Sequence, residues 1–299
     1  LDDHPQAGSE IVFSPDGRLL AAGGRDGKIV VWDADSETVI AEMEHGDRVD
    51  DVCFLNDSKH LVSGGSDGAV HIWDLESGRA IADVPVLNST ASRIRAMAVS
   101  ATSLAVLTND GEVTLWDLVT KQSKATDIRG TRVIGTTPPL EFSPDGKHLV
   151  TRGEKSEFTV WNVATGEPLW TQHGENDRPV YSVAYSPDGK LLAVATEAGM
   201  ITLWDIDKKE KLRVMEGAST WIRSLTFSPD GARLASGSDD QMITLWDVKT
   251  GEPTTRLKGH NAYVLSVAFA PDGNAIASSG ADATVRLWRA APPQEVPAL

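Results

Sequence analysis

The chain has 299 residues, a formal net charge of −15 and 40% apolar residues. That length can bury a sizeable core, and no apolar run approaches the roughly 18 residues of a membrane span. The acid excess argues against nucleic acid or an anionic membrane as the main partner and suits a well-solvated surface or basic protein partners. The single cysteine, Cys53, excludes an internal disulfide and leads us to expect a reducing, cytoplasmic compartment. The opening LDDHPQAG does not read as a signal peptide.

In chain order one pattern recurs, and a repeat near forty residues has to be read before any local element. The units run approximately over 4–43, 45–86, 90–128, 133–172, 176–215, 218–258 and 260–299. Each ends a β-rich run on a tryptophan: Trp32, Trp73, Trp116, Trp161, Trp204, Trp246 and Trp288, spaced by 41, 43, 45, 43, 42 and 42 residues. The first unit opens with the turn SPDG at 14–17 and continues LLAAGGRDGKIVVWDA. The second replaces the turn by LNDS (55–58) and continues LVSGGSDGAVHIWDL. The third has VSATS (99–103), with no turn glycine, and is the weakest copy. Units four, five and six return to SPDG at 143–146, 186–189 and 228–231, and the seventh has APDG at 270–273. Pro followed by Asp-Gly is turn chemistry, since Pro fixes φ and Gly accepts a positive φ.

Within unit six the predicted strands are SLTFS (224–228), RLASG (233–237), MITLWD (242–247) and PTTRLK (253–258). The first three are β-branched and apolar, while the fourth is polar, as an outer edge strand should be. Four short strands per unit point to an all-β propeller.

Five of the seven tryptophans precede Asp, Trp161 precedes Asn162 and Trp288 precedes Arg289. With the SPDG turns, these residues make the chain resemble the WD40 repeat family over essentially its whole length, in a style common in bacterial members. The resemblance implies one seven-bladed β-propeller with four antiparallel strands per blade. It implies blade closure by the C-terminal segment Glu295–Leu299, or a parent chain with more sequence before Leu1. It also implies buried hydrogen-bonded sets of His, Ser or Thr, Asp and Trp. Two are complete: His45, Ser63, Asp67 and Trp73; and His260, Ser278, Asp282 and Trp288. The first unit has His4, Asp26 and Trp32 but Ala22 at the hydroxyl position. The sixth keeps Ser236, Asp240 and Trp246 but has Ala218 for His. Units four and five carry Lys155 and Ala198 in place of the turn Asp, and are expected to rely on packing.

No catalytic constellation stands out. GGSDG (64–68) matches G-x-S-x-G but lies between two strands, where a nucleophile elbow needs a strand followed by a helix. GGRDGK (23–28) lacks P-loop length. No metal-ligand spacing and no cofactor motif is present, and no cluster of perturbed acids is visible. The reading is of a non-catalytic interaction scaffold or sensor within a larger signalling or effector protein. An enzyme acting at the channel mouth and a purely structural oligomerisation module are the alternatives.

The family resemblance further implies docking on the top face of the propeller. Carried over, the positions are Arg48, Asp50 and Ser66; Arg93, Arg95 and Asn109; Tyr181 and Glu197; Trp221, Arg223 and Asp239; and Tyr263. Thr136 and Pro138, with Ala7 and Ser9, hold the corresponding places in units four and one. Trp, Tyr and Arg dominate interface hot spots. Tyr181, Trp221 and Tyr263 therefore suggest an apolar anchor, and Arg48, Arg93 and Arg95 a basic arc for an acidic group on a protein or peptide partner. The alternative is that the aromatic rings only cover the strands beneath them.

Overall fold

The computed structural model describes residues 7–86, 92–131, 139–174, 177–197, 199–216 and 220–290, with backbone alone at 7–9. Among the described residues, twenty-seven strands form seven antiparallel sheets. Blade 1 contains β1 (Ala7–Phe13), β2 (Leu19–Gly24), β3 (Lys28–Asp33) and β4 (Val39–Glu44). Blade 2 contains β5 (Val49–Phe54), β6 (His60–Gly65), β7 (Val70–Asp74) and β8 (Arg79–Asp83). Blade 3 contains β9 (Ile94–Val99), β10 (Ser103–Thr108), β11 (Glu112–Asp117) and β12 (Gln122–Arg129). Blade 4 contains β13 (Leu140–Phe142), β14 (His148–Arg152), β15 (Glu157–Asn162) and β16 (Pro168–His173). Blade 5 contains β17 (Val180–Tyr185), β18 (Leu191–Thr196), β19 (Met200–Asp205) and β20 (Glu210–Glu216). Blade 6 contains β21 (Ile222–Phe227), β22 (Arg233–Ser238), β23 (Met242–Asp247) and β24 (Pro253–Lys258). Blade 7 contains β25 (Val264–Phe269), β26 (Ala275–Gly280) and β27 (Val285–Arg289).

The inner strands β1, β5, β9, β13, β17, β21 and β25 pack in a closed cycle, with β25 against β1. The molecule is a seven-bladed propeller. The expectation of four strands in every blade needs one correction: the seventh sheet has three strands among the described residues. The segment Glu295–Leu299, expected to supply its fourth strand, lies outside the described residues, as does His4.

Core lies between blades, because each sheet is covered on both faces by its neighbours. The cluster of Ile29, Val31, Val49, Val52, Phe54, Leu61 and Trp73 joins blades 1 and 2. Outer strands such as β24 face solvent with Thr and Arg and bury little, which blunts their edges. The glycines of GG pairs in β2 and β6 do more than bound a strand. A Cβ on Gly23 would lie 2.5 Å from Val49 Cγ1, and one on Gly64 would lie 2.6 Å from Ile94 Cγ2. Both sit where the inner strand of the next blade crosses.

The recurrent polar residues are turn locks. In SPDG, Ser14 Oγ accepts the Leu19 N–H (2.9 Å) and donates to Asp16 Oδ1 (2.6 Å), while Gly17 takes φ 75°. Blade 2 achieves the same turn with Ser58 at φ 55° and Asp57 Oδ1 accepting the Lys59 and His60 N–H groups at 2.9 and 3.0 Å. The Asp after Trp closes the last hairpin: Asp33 Oδ1 accepts the Ser36 N–H at 2.8 Å, and Asp247 Oδ1 accepts that of Thr250 at 2.7 Å. Backbone donors of this kind hold both carboxyls below their usual range. Arg289 replaces that Asp in blade 7. It donates to the Ala34 carbonyl and pairs with Glu37 (3.5 Å) and Asp35 (3.8 Å) in blade 1.

Candidate functional site

Both complete polar sets form. In blade 2 the Trp73 Nε1–H donates to Ser63 Oγ (2.7 Å), Ser63 Oγ meets His45 Nδ1 (2.8 Å), and His45 Nε2 meets Asp67 Oδ1 (3.2 Å). In blade 7 Trp288 Nε1–H donates to Ser278 Oγ (2.8 Å), which meets His260 Nε2 (2.7 Å), and Asp282 meets His260 Nδ1 at 3.0 Å. Burial pushes both imidazoles below their usual pKa, so each is a neutral relay: it accepts from the serine and donates to the aspartate. Each set pins the Trp-bearing strand and the strand before it to the loop entering the blade, which is a structural task. Blade 4 has the hydroxyl in Thr151, whose Oγ1 accepts the Trp161 Nε1–H at 2.8 Å. Blade 5 has Val194 there, and the Trp204 Nε1–H is buried without a hydrogen-bond partner. Trp204 instead packs edge-on against Phe158 and Trp170, at 5.6 and 5.4 Å between centroids. Packing replaces the Trp hydrogen bond in blade 5, whereas blade 4 keeps it.

The top face is built by a repeated β-bulge. In blade 2, Val49 pairs with Gly65 and Asp51 with Gly64, which leaves Asp50 as the extra residue. The same register step leaves Arg95, Tyr181, Arg223 and Leu265 in blades 3, 5, 6 and 7. A bulge re-aims the unpaired side chain away from the ladder. Just before each bulge, a backbone carbonyl accepts an N–H from the loop between the second and third strands: Arg48 from Ser66, Arg93 from Asn109, Trp221 from Asp239 and Tyr263 from Ala281. The sequence-predicted face residues therefore occupy equivalent places at one end of the inner strands. Thr136 and Pro138 lie outside the described residues, and the side chains of Ala7 and Ser9 are not described.

Blades 4 to 7 carry a stacked ladder. The Arg152 guanidinium lies over the Tyr181 ring at 5.9 Å, and the Tyr181 and Trp221 rings are 5.3 Å apart. Arg223 lies over both Trp221 (5.8 Å) and Tyr263 (5.3 Å), an arrangement favoured by the ring quadrupole. Arg223 is held from below by a two-point ion pair to Asp239, one contact at 2.9 Å. Trp221 keeps 36% and Tyr263 49% of its surface exposed. The rings do cover the bulges, and they still present apolar surface to solvent. Arg152 escaped the sequence reading because it ends β14 on a different register from the bulge residues.

Blades 2 and 3 carry the basic arc, and its center is acidic. Arg93 pairs with Asp50 through Nε and a terminal nitrogen, Arg48 Nε lies 3.1 Å from Asp50 Oδ1, and Ser66 Oγ donates to Asp50 Oδ2 at 2.9 Å. The basic arc implied by the resemblance thus has a buried carboxylate between Arg48 and Arg93, and Arg95 is buried within electrostatic reach of it.

Below the face, the inner strands enclose a channel of about 460 Å³ lined by Glu10, Asp51, Glu141, Ser182, Ser224 and Ser266, among others. The expectation that no perturbed acids cluster there is corrected. Burial raises the Glu141 carboxyl to about 8 and pushes Glu10 and Asp51 upward, with Glu10 adding to the shifts of Asp51 and Glu141. Their hydrogen bonds explain them. Ser182, Ser224 and Ser266 each accept a backbone N–H from the next blade, at 3.0, 3.1 and 3.3 Å. Asp51 does the same for Met97 and Glu141 for Tyr185 (3.3 Å). Asp51 and Glu141 are thus struts between blades, Asp51 at the position where blades 5, 6 and 7 use serine. Among the described residues, no group of three or more His, Cys, Asp or Glu side chains is placed to hold a metal ion.

Among curated proteins no relative matches this chain significantly. The family model described as "WD domain, G-beta repeat" matches residues 4–33, 38–74, 166–205, 209–247 and 251–289, more than half of the chain. The unmatched stretch covers blade 3, whose turn lacks the glycine, and most of blade 4, which has Lys155 in place of the turn Asp and Asn162 after its Trp, although both sheets still form. With its repeats, bulges and polar sets placed as that pattern requires, the chain belongs to the WD40 repeat family.

Proposed function

We propose that this propeller is a non-catalytic interaction platform whose top face binds a protein or peptide segment, within a larger cytoplasmic signalling or effector protein. WD40 propellers typically serve as protein-interaction scaffolds and are usually non-catalytic. The observation that carries the reading for this chain is the ladder of Tyr181, Trp221, Arg223 and Tyr263. Bulges present Tyr181 and Arg223, the residues just before the bulges are Trp221 and Tyr263, and these two keep large apolar areas in contact with water. Rigid, half-exposed aromatic rings beside an anchored arginine lose little entropy on binding, as interface hot spots require. An apolar side chain of the partner seats on Trp221 and Tyr263, and its acidic group faces the arc of Arg48, Arg93 and Arg95. Asp51 and Glu141 support a structural role, since each accepts a backbone N–H of the next blade. Half-buried Cys53, with no second thiol in the sequence, supports a reducing compartment.

The test is affinity capture with the wild-type propeller beside a Trp221→Ala, Tyr263→Ala variant of unchanged melting temperature, followed by direct binding of each captured protein in purified form. Partners bound at least tenfold more weakly by the variant support the reading. Equal binding of every direct partner by both proteins overturns it and moves the site to the rim or the opposite face.

A further inference from the structure

Ser63 and Ser278 each take an indole N–H and pass their own proton to the imidazole beside them, so the relay works only while that ring keeps a lone pair. The carboxylates at the far end pull the other way. Asp67 favours a charged His45, as does Asp47, and Asp282 favours a charged His260. A protonated ring would donate to both neighbours and leave the serine hydroxyl proton without an acceptor. Burial is the larger force against that proton, and in both blades a neighbouring base adds to it.

That base stands two residues before the Trp. In blade 2 it is His71, whose ring meets the His45 ring edge-on at 4.8 Å between centroids and whose Nδ1 lies 2.6 Å from Asp83 Oδ1. In blade 7 it is Arg286. Its Nη1 lies 3.3 Å from the place a Cβ on Gly259 would take, directly before His260 in the chain. Among the described residues Arg286 makes no hydrogen bond or ion pair, and its Nε is buried without a partner. Blades 3 to 6 have Thr114, Thr159, Thr202 and Thr244 at this place, and Thr90, Val133, Asn176 and Ala218 at the relay position. They lack the base and the imidazole alike. Blade 1 has Val30 there, and its His4 lies outside the described residues.

We infer that His71 and Arg286 are positioning residues that keep the relay imidazoles of blades 2 and 7 neutral, and that blade 2, whose guard is itself an imidazole, is the pH-graded joint of the two. At Arg286 the opposing charge is permanent. At His71 it arrives with acid, since imidazole is the side chain that charges near neutral pH. A charge on His71 faces Asp83 and, with the side chain 23% exposed, water. A charge on His45 faces Asp67 and Asp47 from a fully buried side chain. The first proton therefore goes to His71, and its arrival holds the second one off His45. Opposition grows as the solution turns acid, so the loops beside both relays keep their bonds: Ser66 N–H to the Arg48 carbonyl in blade 2, and Asn261 N–H to Asp282 (2.8 Å) in blade 7.

The test is an NMR titration of the full chain from mild alkali into acid, following the histidine ring Cε1–H and the indole Nε1–H signals. His71→Gln should raise the pH at which His45 titrates by at least about half a pH unit, which two unit charges 4.8 Å apart impose even through bulk water. Asp83→Asn changes a side chain that is 82% exposed, and should move His45 the same way by less, because His71 then charges later. Arg286→Gln should raise the titration of His260, whereas Arg286→Lys, which keeps the charge, should leave it low. The Trp73 and Trp288 indole signals should survive to lower pH in wild type than in His71→Gln and Arg286→Gln respectively. A His45 midpoint unmoved in both His71→Gln and Asp83→Asn overturns the proposal, as does a His260 midpoint that is the same in Arg286→Gln and Arg286→Lys. Variants that melt earlier at every pH with neither midpoint moved would show packing alone, and that result also overturns it.

Discussion

Replacing Glu141 by Gln should make the protein more stable in mild alkali while changing little in acid. Glu141 Oε1 accepts the Tyr185 N–H at 3.3 Å, and Oε2 is enclosed without a partner. Burial raises its folded pKa from 4.5 to about 8, with the Tyr185 N–H opposing and Glu10 adding. A raised acid is stabilising in its protonated form, so the sign is as follows. Below pH 4.5 both states hold the proton and nothing is lost. Above it the unfolded chain releases a proton that the folded chain keeps, and stability falls by about 1.4 kcal/mol per pH unit until the folded group titrates near pH 8. The accumulated loss is on the order of 5 kcal/mol for this one carboxyl. Gln keeps the acceptor for Tyr185 and has no proton to lose. The stability difference between Glu141→Gln and wild type should therefore grow from near zero at pH 5 to on the order of 3 to 4 kcal/mol at pH 8.5. Urea unfolding followed by tryptophan fluorescence at each pH gives the midpoint and slope. His45, His260 and Asp51 titrate in both proteins and cancel in the difference. A difference that stays constant from pH 5 to pH 9 would refute the argument.

Other outcomes follow from the same geometry. Ser63→Ala strands the Trp73 Nε1–H and a His45 nitrogen, and should cost about 2 to 4 kcal/mol in chemical denaturation; a cost under about 0.5 kcal/mol would mean the set is not a strut. Trp73→Phe should cost clearly more than Trp204→Phe, because only the Trp73 indole N–H has a hydrogen-bond partner; equal melting temperatures would contradict this. Gly64→Ala puts a methyl against Ile94 and Met97 and should destabilise by about 1 to 3 kcal/mol, whereas Ala at half-buried Gly78, despite its positive φ, meets no neighbouring atom. Below pH 6 the two polar sets should weaken, since His45 and His260 are held neutral and must gain protons. A Ser63→Ala, Ser278→Ala variant should show a flatter acid limb in its melting-temperature profile.

Much of this protein was decided locally. The tryptophan period, the SPDG turns and the Asp after Trp act over two to five residues, through Asx-type bonds and fixed φ values, so seven blades could be read from the chain directly. The sets at His45 and His260 were legible for the same reason: they recur at constant offsets from Trp. What the sequence left hidden depends on neighbours far apart in the chain. Asp50 becomes the center of an arginine cluster only when blade 3 closes on blade 2. Arg152 joins Tyr181 only across the blade 4 to blade 5 junction. Gly23 and Gly64 look like strand boundaries until the next inner strand crosses them. Glu10, Asp51 and Glu141 look like ordinary surface acids until ring closure places them in the channel and removes their water. Hydrogen bonds within a turn depend on short-range geometry that sequence encodes, while desolvation and charge pairing depend on which blade lies next door, and only the closed ring decides that.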